Sequence, residues 1–208
     1  GNSMHPASKE LYVAGKKMTP PWPNKAFNLG HAVTRHVGFS PSGSQLAFCR
    51  NNTGQDVVHV WDRWGKETLR EGHTDHVCCL EYSLDGEYLA SGSGDGSIRI
   101  WHAESFHATS SPTHRDGPSR TPQQADTTLF GSRHDSIFAL SFSQTDSNML
   151  ASGDDDGEIK VWNIKEQACI HTVNLDRGPI HSLVFAGGED TACIALAGAS
   201  VIRIWKPK

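Results

Sequence analysis

The 208-residue sequence predicts an all-β fold, about four copies of one strand-turn-strand-turn-strand unit set in a row. Three observations predict it. Four segments of alternating apolar residues each end in tryptophan: Val57-Val58-His59-Val60-Trp61, Ile98-Arg99-Ile100-Trp101, Ile159-Lys160-Val161-Trp162 and Ile202-Arg203-Ile204-Trp205. These tryptophans stand 40, 61 and 43 residues apart. The middle spacing is one unit of about 41 residues with about 20 inserted, so a repeat of ~40–45 residues runs through the chain. Finally, Asp-Gly pairs at 85–86, 95–96 and 156–157 punctuate the alternating runs, which is the signal of hairpins.

Each unit can be read strand by strand. An aromatic-containing strand opens it: Val37-Gly38-Phe39-Ser40, Leu80-Glu81-Tyr82-Ser83, Leu140-Ser141-Phe142-Ser143 and Leu183-Val184-Phe185-Ala186. A turn follows in three of them, at Pro41-Ser42-Gly43, Leu84-Asp85-Gly86 and Gln144-Thr145-Asp146. The next strand is short and apolar, as in Tyr88-Leu89-Ala90-Ser91 and Met149-Leu150-Ala151-Ser152. A second turn, Gly94-Asp95-Gly96 or Asp155-Asp156-Gly157, leads into the tryptophan strand. Nothing between units has the 3.6-residue period of an amphipathic helix.

The stretch from Gly72-His73-Thr74-Asp75-His76-Val77 through Ser91-Gly92-Ser93-Gly94-Asp95-Gly96 to Ile100-Trp101 resembles a full WD40 repeat. Leu150-Ala151-Ser152 through Asp156-Gly157 to Trp162-Asn163 resembles a second, and the resemblance spans roughly residues 25–205. It implies a WD40-type β-propeller with about four blades of four-stranded antiparallel sheet, whether or not they close a ring. It also implies a hydrogen-bonded tetrad inside each blade: His73, Ser91, Asp95 and Trp101 in repeat two, and Ser152, Asp156 and Trp162 in repeat three. The physical sense is that a buried indole N–H needs an acceptor and a turn aspartate can hold a histidine in one tautomer. Repeat three has Arg133 where the histidine would fall, repeat one has Gln55 and repeat four Ala199 at the aspartate position.

In this family each repeat begins with the outer strand of the preceding blade. Thr68-Leu69-Arg70, Thr127-Thr128-Leu129-Phe130 and Cys169-Ile170-His171-Thr172-Val173 take that role for blades one to three. Lys25-Ala26-Phe27-Asn28-Leu29 is then expected to supply the outer strand of blade four and cover its edge. Residues 1–24 read as an irregular tail and 25–208 as blades, with a Ser, Thr, Pro and His-rich insertion at about 102–126 that reads as a loop. A fragment of a larger ring, an arc completed by another chain, and a small ring all stay open.

Composition excludes several functions. The net charge is −4 and no run of Lys or Arg forms a patch for nucleic acid or an anionic membrane surface. No apolar stretch approaches ~20 residues. The five cysteines, at 49, 78, 79, 169 and 193, form no CxxC pair and read as buried or half-buried strand residues in a reducing, cytoplasmic or nuclear setting. The Gly-rich run Ser91–Gly96 precedes a strand, whereas a nucleotide cradle precedes a helix. Asp154-Asp155-Asp156 lacks the glutamate an EF-hand loop needs, and the twelve histidines lack zinc spacing. No catalytic residues, metal or cofactor are therefore expected.

What remains is binding of other proteins. The resemblance implies contacts on the rim where the first strand of each blade enters, at Arg35, His76 with Cys78, Ser136 with Phe138, and His181, together with Asp155 and Gly94 before the tetrad aspartates. Aromatic and arginine side chains dominate such interfaces. The segment ending Trp162-Asn163-Ile164-Lys165 also resembles the box by which some propellers bring substrates to cullin–RING ubiquitin ligases, with lysine in place of arginine.

Overall fold

Alternation with period two forces strand formation, and the computed structural model describes residues 11–13, 16–18, 36–51, 56–62, 67–103, 125–131, 135–175, 178–186, 193–197 and 202–205. All regular structure among them is strand. Blade one comprises β3 (Val37–Phe39), β4 (Gln45–Asn51), β5 (Asp56–Asp62) and β6 (Glu67–Arg70). In blade two, β7 (Val77–Tyr82), β8 (Tyr88–Ser93) and β9 (Ser97–His102) continue into β10 (Thr127–Phe130). The third blade holds β11 (Ile137–Phe142), β12 (Met149–Asp154), β13 (Glu158–Asn163) and β14 (Ala168–Asn174). Blade four shows three strands among the described residues: β15 (Ser182–Ala186), β16 (Cys193–Ala197) and β17 (Ile202–Trp205). Every sheet is antiparallel with neighbours in sequence order. The repeat period, the strands and the three outer strands thus stand where the sequence placed them.

Three departures are informative. Residues 1–24 include β1 (Leu11–Val13) and β2 (Lys16–Met18), which pair as a short antiparallel ladder, so this stretch is not wholly irregular. The margins of the insertion belong to blade two: His102 ends β9, Ala103 is buried, and the Asp126 carboxylate accepts the His102 N–H at 2.6 Å. Cys169 is exposed on β14, because an outer strand has solvent on its far side. The expected blade-four strand 25–29 and the rest of the insertion lie outside the described residues.

The core lies in the seams between blades, and each seam has the same construction. Ala47, Cys49, Val58 and Val60 of blade one pack on Val77, Leu80, Leu89 and Trp101 of blade two. Blade two then presents Cys79, Ala90, Ile98 and Ile100 to Ile137, Leu140, Phe142, Leu150 and Trp162 of blade three. Blade three presents Ala139, Ala151, Ile159 and Val161 to Ile180, Leu183 and Phe185 of blade four. Small and β-branched residues on one face meet bulky ones on the next, so the layers interdigitate.

Polar links cross the seams. Glu81 accepts the Phe142 N–H at 3.3 Å, and Ser141 Oγ, one blade on, accepts the Phe185 N–H at 3.0 Å. Burial disfavours the charged form and outweighs the hydrogen bonds that Glu81 accepts from the Phe142 N–H and the Ser141 side chain, raising its carboxyl to about 7. A raised folded value means that the folded state holds its proton while the unfolded chain releases it. Stability therefore falls as pH climbs from the ordinary carboxylate range through 7, by up to about 3 kcal/mol. Glu81→Gln is expected to raise the melting temperature at pH 8 and leave it nearly unchanged at pH 4.5, read by thermal melts across that range.

Candidate protein-interaction rim and the network beneath it

In blade two the short strand β8 and the turn before β9 bring four side chains together. The Trp101 indole N–H donates to Ser91 Oγ at 3.1 Å, and Ser91 Oγ lies 2.8 Å from His73 Nε2. His73 Nδ1 lies 3.0 Å from Asp95 Oδ2. Because a carboxylate only accepts, Nδ1 carries the proton and Nε2 accepts from the Ser91 hydroxyl. Asp95 also accepts the Thr74 N–H at 2.9 Å and the Ser97 hydroxyl at 2.6 Å. Burial opposes its ionisation, but the bonds from His73, Ser97 and Thr74 outweigh it and hold the carboxyl well below the usual range. The turn that sets this geometry needs Gly96, whose φ of 77° lies in the left-handed region.

Repeat three keeps half of that arrangement. The Trp162 N–H donates to Ser152 Oγ at 2.9 Å. Asp156 does not join it: its side chain is exposed, and Asp154, buried two residues earlier, accepts the Glu158 N–H at 2.7 Å. An aspartate is drawn inward by a donor, and the position of the missing histidine, Arg133, lies outside the described residues. Repeat one solves the same problem differently. Phe48 occupies the serine position by register, opposite His59, and Glu67 on β6 accepts the Trp61 N–H at 2.9 Å and lies 2.7 Å from His59 Nδ1. Phe48 stacks on His59 at 5.0 Å and meets Trp61 edge-on at 5.0 Å. Sequence reasoning missed this cluster, although Glu67, six residues after the tryptophan, was a legible signal. Gln55 and Ala199 lie outside the described residues.

The rim residues fall on one end of the sheets. Gly94 N–H bonds the His76 carbonyl at 2.8 Å, and Asp155 N–H bonds the Ser136 carbonyl at 3.1 Å. Each turn therefore sits beside the entry of its blade's first strand. His76 and His181 are exposed, while Cys78, Ser136, Phe138 and Asp155 are half-buried. Phe138 and His181 bring blades three and four together, with ring centroids 5.9 Å apart and planes tilted by 39°. Asp155 Oδ1 is buried without a hydrogen-bond partner. Arg35 lies outside the described residues. Among the described residues no cluster of three or more His, Cys, Asp or Glu side chains has the geometry to hold a metal ion. No described helix is long and apolar enough to cross a membrane.

The profile of the family described as "WD domain, G-beta repeat" matches residues 66–102 and 126–163. Those two stretches are WD40 repeats. One relative, "Cell division cycle 20.5, cofactor of APC complex" from Arabidopsis thaliana, is 33% identical over 120 residues, covering 57% of this chain and 24% of its own. Another, "WD repeat-containing protein 18" from Bos taurus, is 28% identical over 168 residues, covering 80% of this chain and 34% of its own. The solved structure "Crystal structure of RRP9 WD40 repeats" superposes with a TM-score of 0.67 at 24% identity, covering 85% of this chain and 48% of that one. That likeness is one of fold. The chain thus spans about a quarter to a third of these two relatives and about half of the solved WD40 chain.

Proposed function

We propose that this chain is a non-catalytic scaffold that binds other proteins through the rim of its WD40 blades, as a subunit or part of a larger cytoplasmic or nuclear complex. Residues 25–208 work as one array of blades, and neither nucleic acid nor membrane is its partner. One observation carries the reading: on the rim, half-buried Phe138 of blade three and exposed His181 bring their rings to 5.9 Å of each other. The Phe138 ring is of the residue type that anchors interfaces. A relative named as a cofactor of a complex is consistent with this role.

The test compares affinity purification with the wild-type chain, Phe138→Ala and His181→Ala. Both variants are expected to lose a common partner by tenfold or more while melting within a few degrees of wild type, as loss of an interface anchor of about 1–2 kcal/mol implies. Full partner recovery with both variants would sink the rim reading. A second reading, a substrate receptor for a cullin–RING ubiquitin ligase, is favoured by the exposed Lys165 in the turn after β13. Co-purification of ligase adaptors, abolished by Lys165→Glu, would select it over the first.

A further inference from the structure

Where one blade meets the next, a side chain of the inner strand reaches over to the neighbour's backbone. In the second seam Glu81, paired with Ala90, accepts the Phe142 N–H at 3.3 Å and also bonds the Ser141 side chain. In the third seam Ser141, paired with Ala151, accepts the Phe185 N–H at 3.0 Å. The first seam carries Gly38 at that register, paired with Ala47, and the donor equivalent to Phe142 and Phe185 N–H is Tyr82 N–H. Glycine has no side chain to offer it. Leu80 N–H, two residues earlier on β7, turns toward blade one and bonds His36 Nδ1 at 3.2 Å. N–H groups two residues apart on a strand point the same way.

The missing side chain leaves a cavity of about 220 Å³ between Gly38, Phe39 and Pro41 of blade one and Leu80, Glu81 and Tyr82 of blade two. A Cβ on Gly38 would meet nothing within 4 Å. Phe39 and Pro41 are exposed, so the cavity opens to solvent. It lies in an interior seam, between two described blades, and depends neither on the flanks of the array nor on what the rim binds. Glu81 stands to an occupant at the Gly38 register as Ser141 stands to Glu81 one seam on. Such an occupant therefore meets a donor, Tyr82 N–H, and a carboxyl, Glu81.

We propose that this cavity receives the carboxamide side chain, glutamine or asparagine, of a partner protein. A carboxamide oxygen accepts from Tyr82 N–H while its NH₂ group donates to Glu81. A carboxylate supplies only the acceptor, and an aliphatic side chain supplies neither. The source is a side chain because the cavity is smaller than the roughly 300–1,000 Å³ of sites that enclose a free small molecule. The bound group repairs, from outside, the one cross-seam link that blade one lacks.

The probe is a blocked Gly-Gln-Gly tripeptide, titrated into the isotope-labelled chain and followed by the amide signals of Gly38 and Tyr82. Both are expected to shift saturably in the millimolar range. Gly-Leu-Gly and Gly-Glu-Gly should bind about tenfold more weakly, as loss of a hydrogen bond in a sheltered site implies. Gly38→Gln, which supplies the group from within, should abolish the shift at Tyr82 and raise the melting temperature by about 2–4 °C. Gly38→Ala, which fills less of the cavity, should weaken binding and leave the fold intact. No saturable shift, equal binding of the leucine peptide, or undiminished binding to both Gly38 variants would overturn the proposal. Butyramide binding as tightly as the glutamine peptide would overturn the protein source and assign the cavity to a free amide.

Discussion

Replacing Ser91 by alanine is expected to remove roughly 2–4 kcal/mol of stability, and Ser152→Ala about half as much. Both serines accept a buried indole N–H, from Trp101 at 3.1 Å and from Trp162 at 2.9 Å. Ser91 has a second duty: its hydroxyl serves His73 Nε2 at 2.8 Å. Alanine at 91 therefore strands two buried polar groups, whereas alanine at 152 strands one. Each unsatisfied group costs about 1–3 kcal/mol, and the low local dielectric couples the members of a network. Denaturant melts of the two variants measure the difference directly. In a Trp101→Phe background, which removes the indole donor, Ser91→Ala should cost less than in the wild type. Equal losses for Ser91 and Ser152, or no coupling to Trp101, would mean that the network does not hold blade two.

Gly92→Val is expected to cost about 3 kcal/mol, among the larger effects of overpacking. Gly92 lies on β8 at the seam with blade three. A Cβ there would stand 2.7 Å from Cys79 Sγ and 2.7 Å from Ile137 Cγ2. Neither neighbour can retreat, since Cys79 and Ile137 are buried between two sheets. The next blade repeats the arrangement: a Cβ on Gly153 would meet Ile180 Cγ2 at 2.6 Å. In both blades the facing strand carries an irregularity in register, between Val77 and Cys79 and between Ile137 and Ala139. Gly38→Val is the control, because nothing lies within 4 Å of its Cβ position. That change should stay within ~0.5 kcal/mol of wild type. A Gly92→Val protein as stable as Gly38→Val would show that the blades slide apart at little cost.

Much of the candidate site was legible because it depends on local order. His73, Ser91, Asp95 and Trp101 sit at fixed offsets within one repeat, and a repeat is one folding unit. The rim positions His76, Ser136, Phe138 and His181 follow from the same register. What escaped was the substitution of one network for another. Repeat one holds its tryptophan with Glu67 from a neighbouring strand, and repeat three leaves Asp156 in water while Asp154 caps the turn. Those choices rest on which donors come within about 3 Å, a matter of side-chain geometry that offsets along the chain do not contain.

By itself the sequence determined the order of the strands and the repeat they form, since alternation, turn chemistry and the tryptophan period act over fewer than about 45 residues. Only the tertiary structure decided which faces are covered. Val60, Ile100, Val161 and Ile204 are equivalent in pattern and indistinguishable in composition, yet three are buried and Ile204 is 72% exposed. The reason is that hydrophobic burial is a property of a pair of sheets. A strand's pattern states which face needs a neighbour, and only the arrangement of the whole array determines whether one is there.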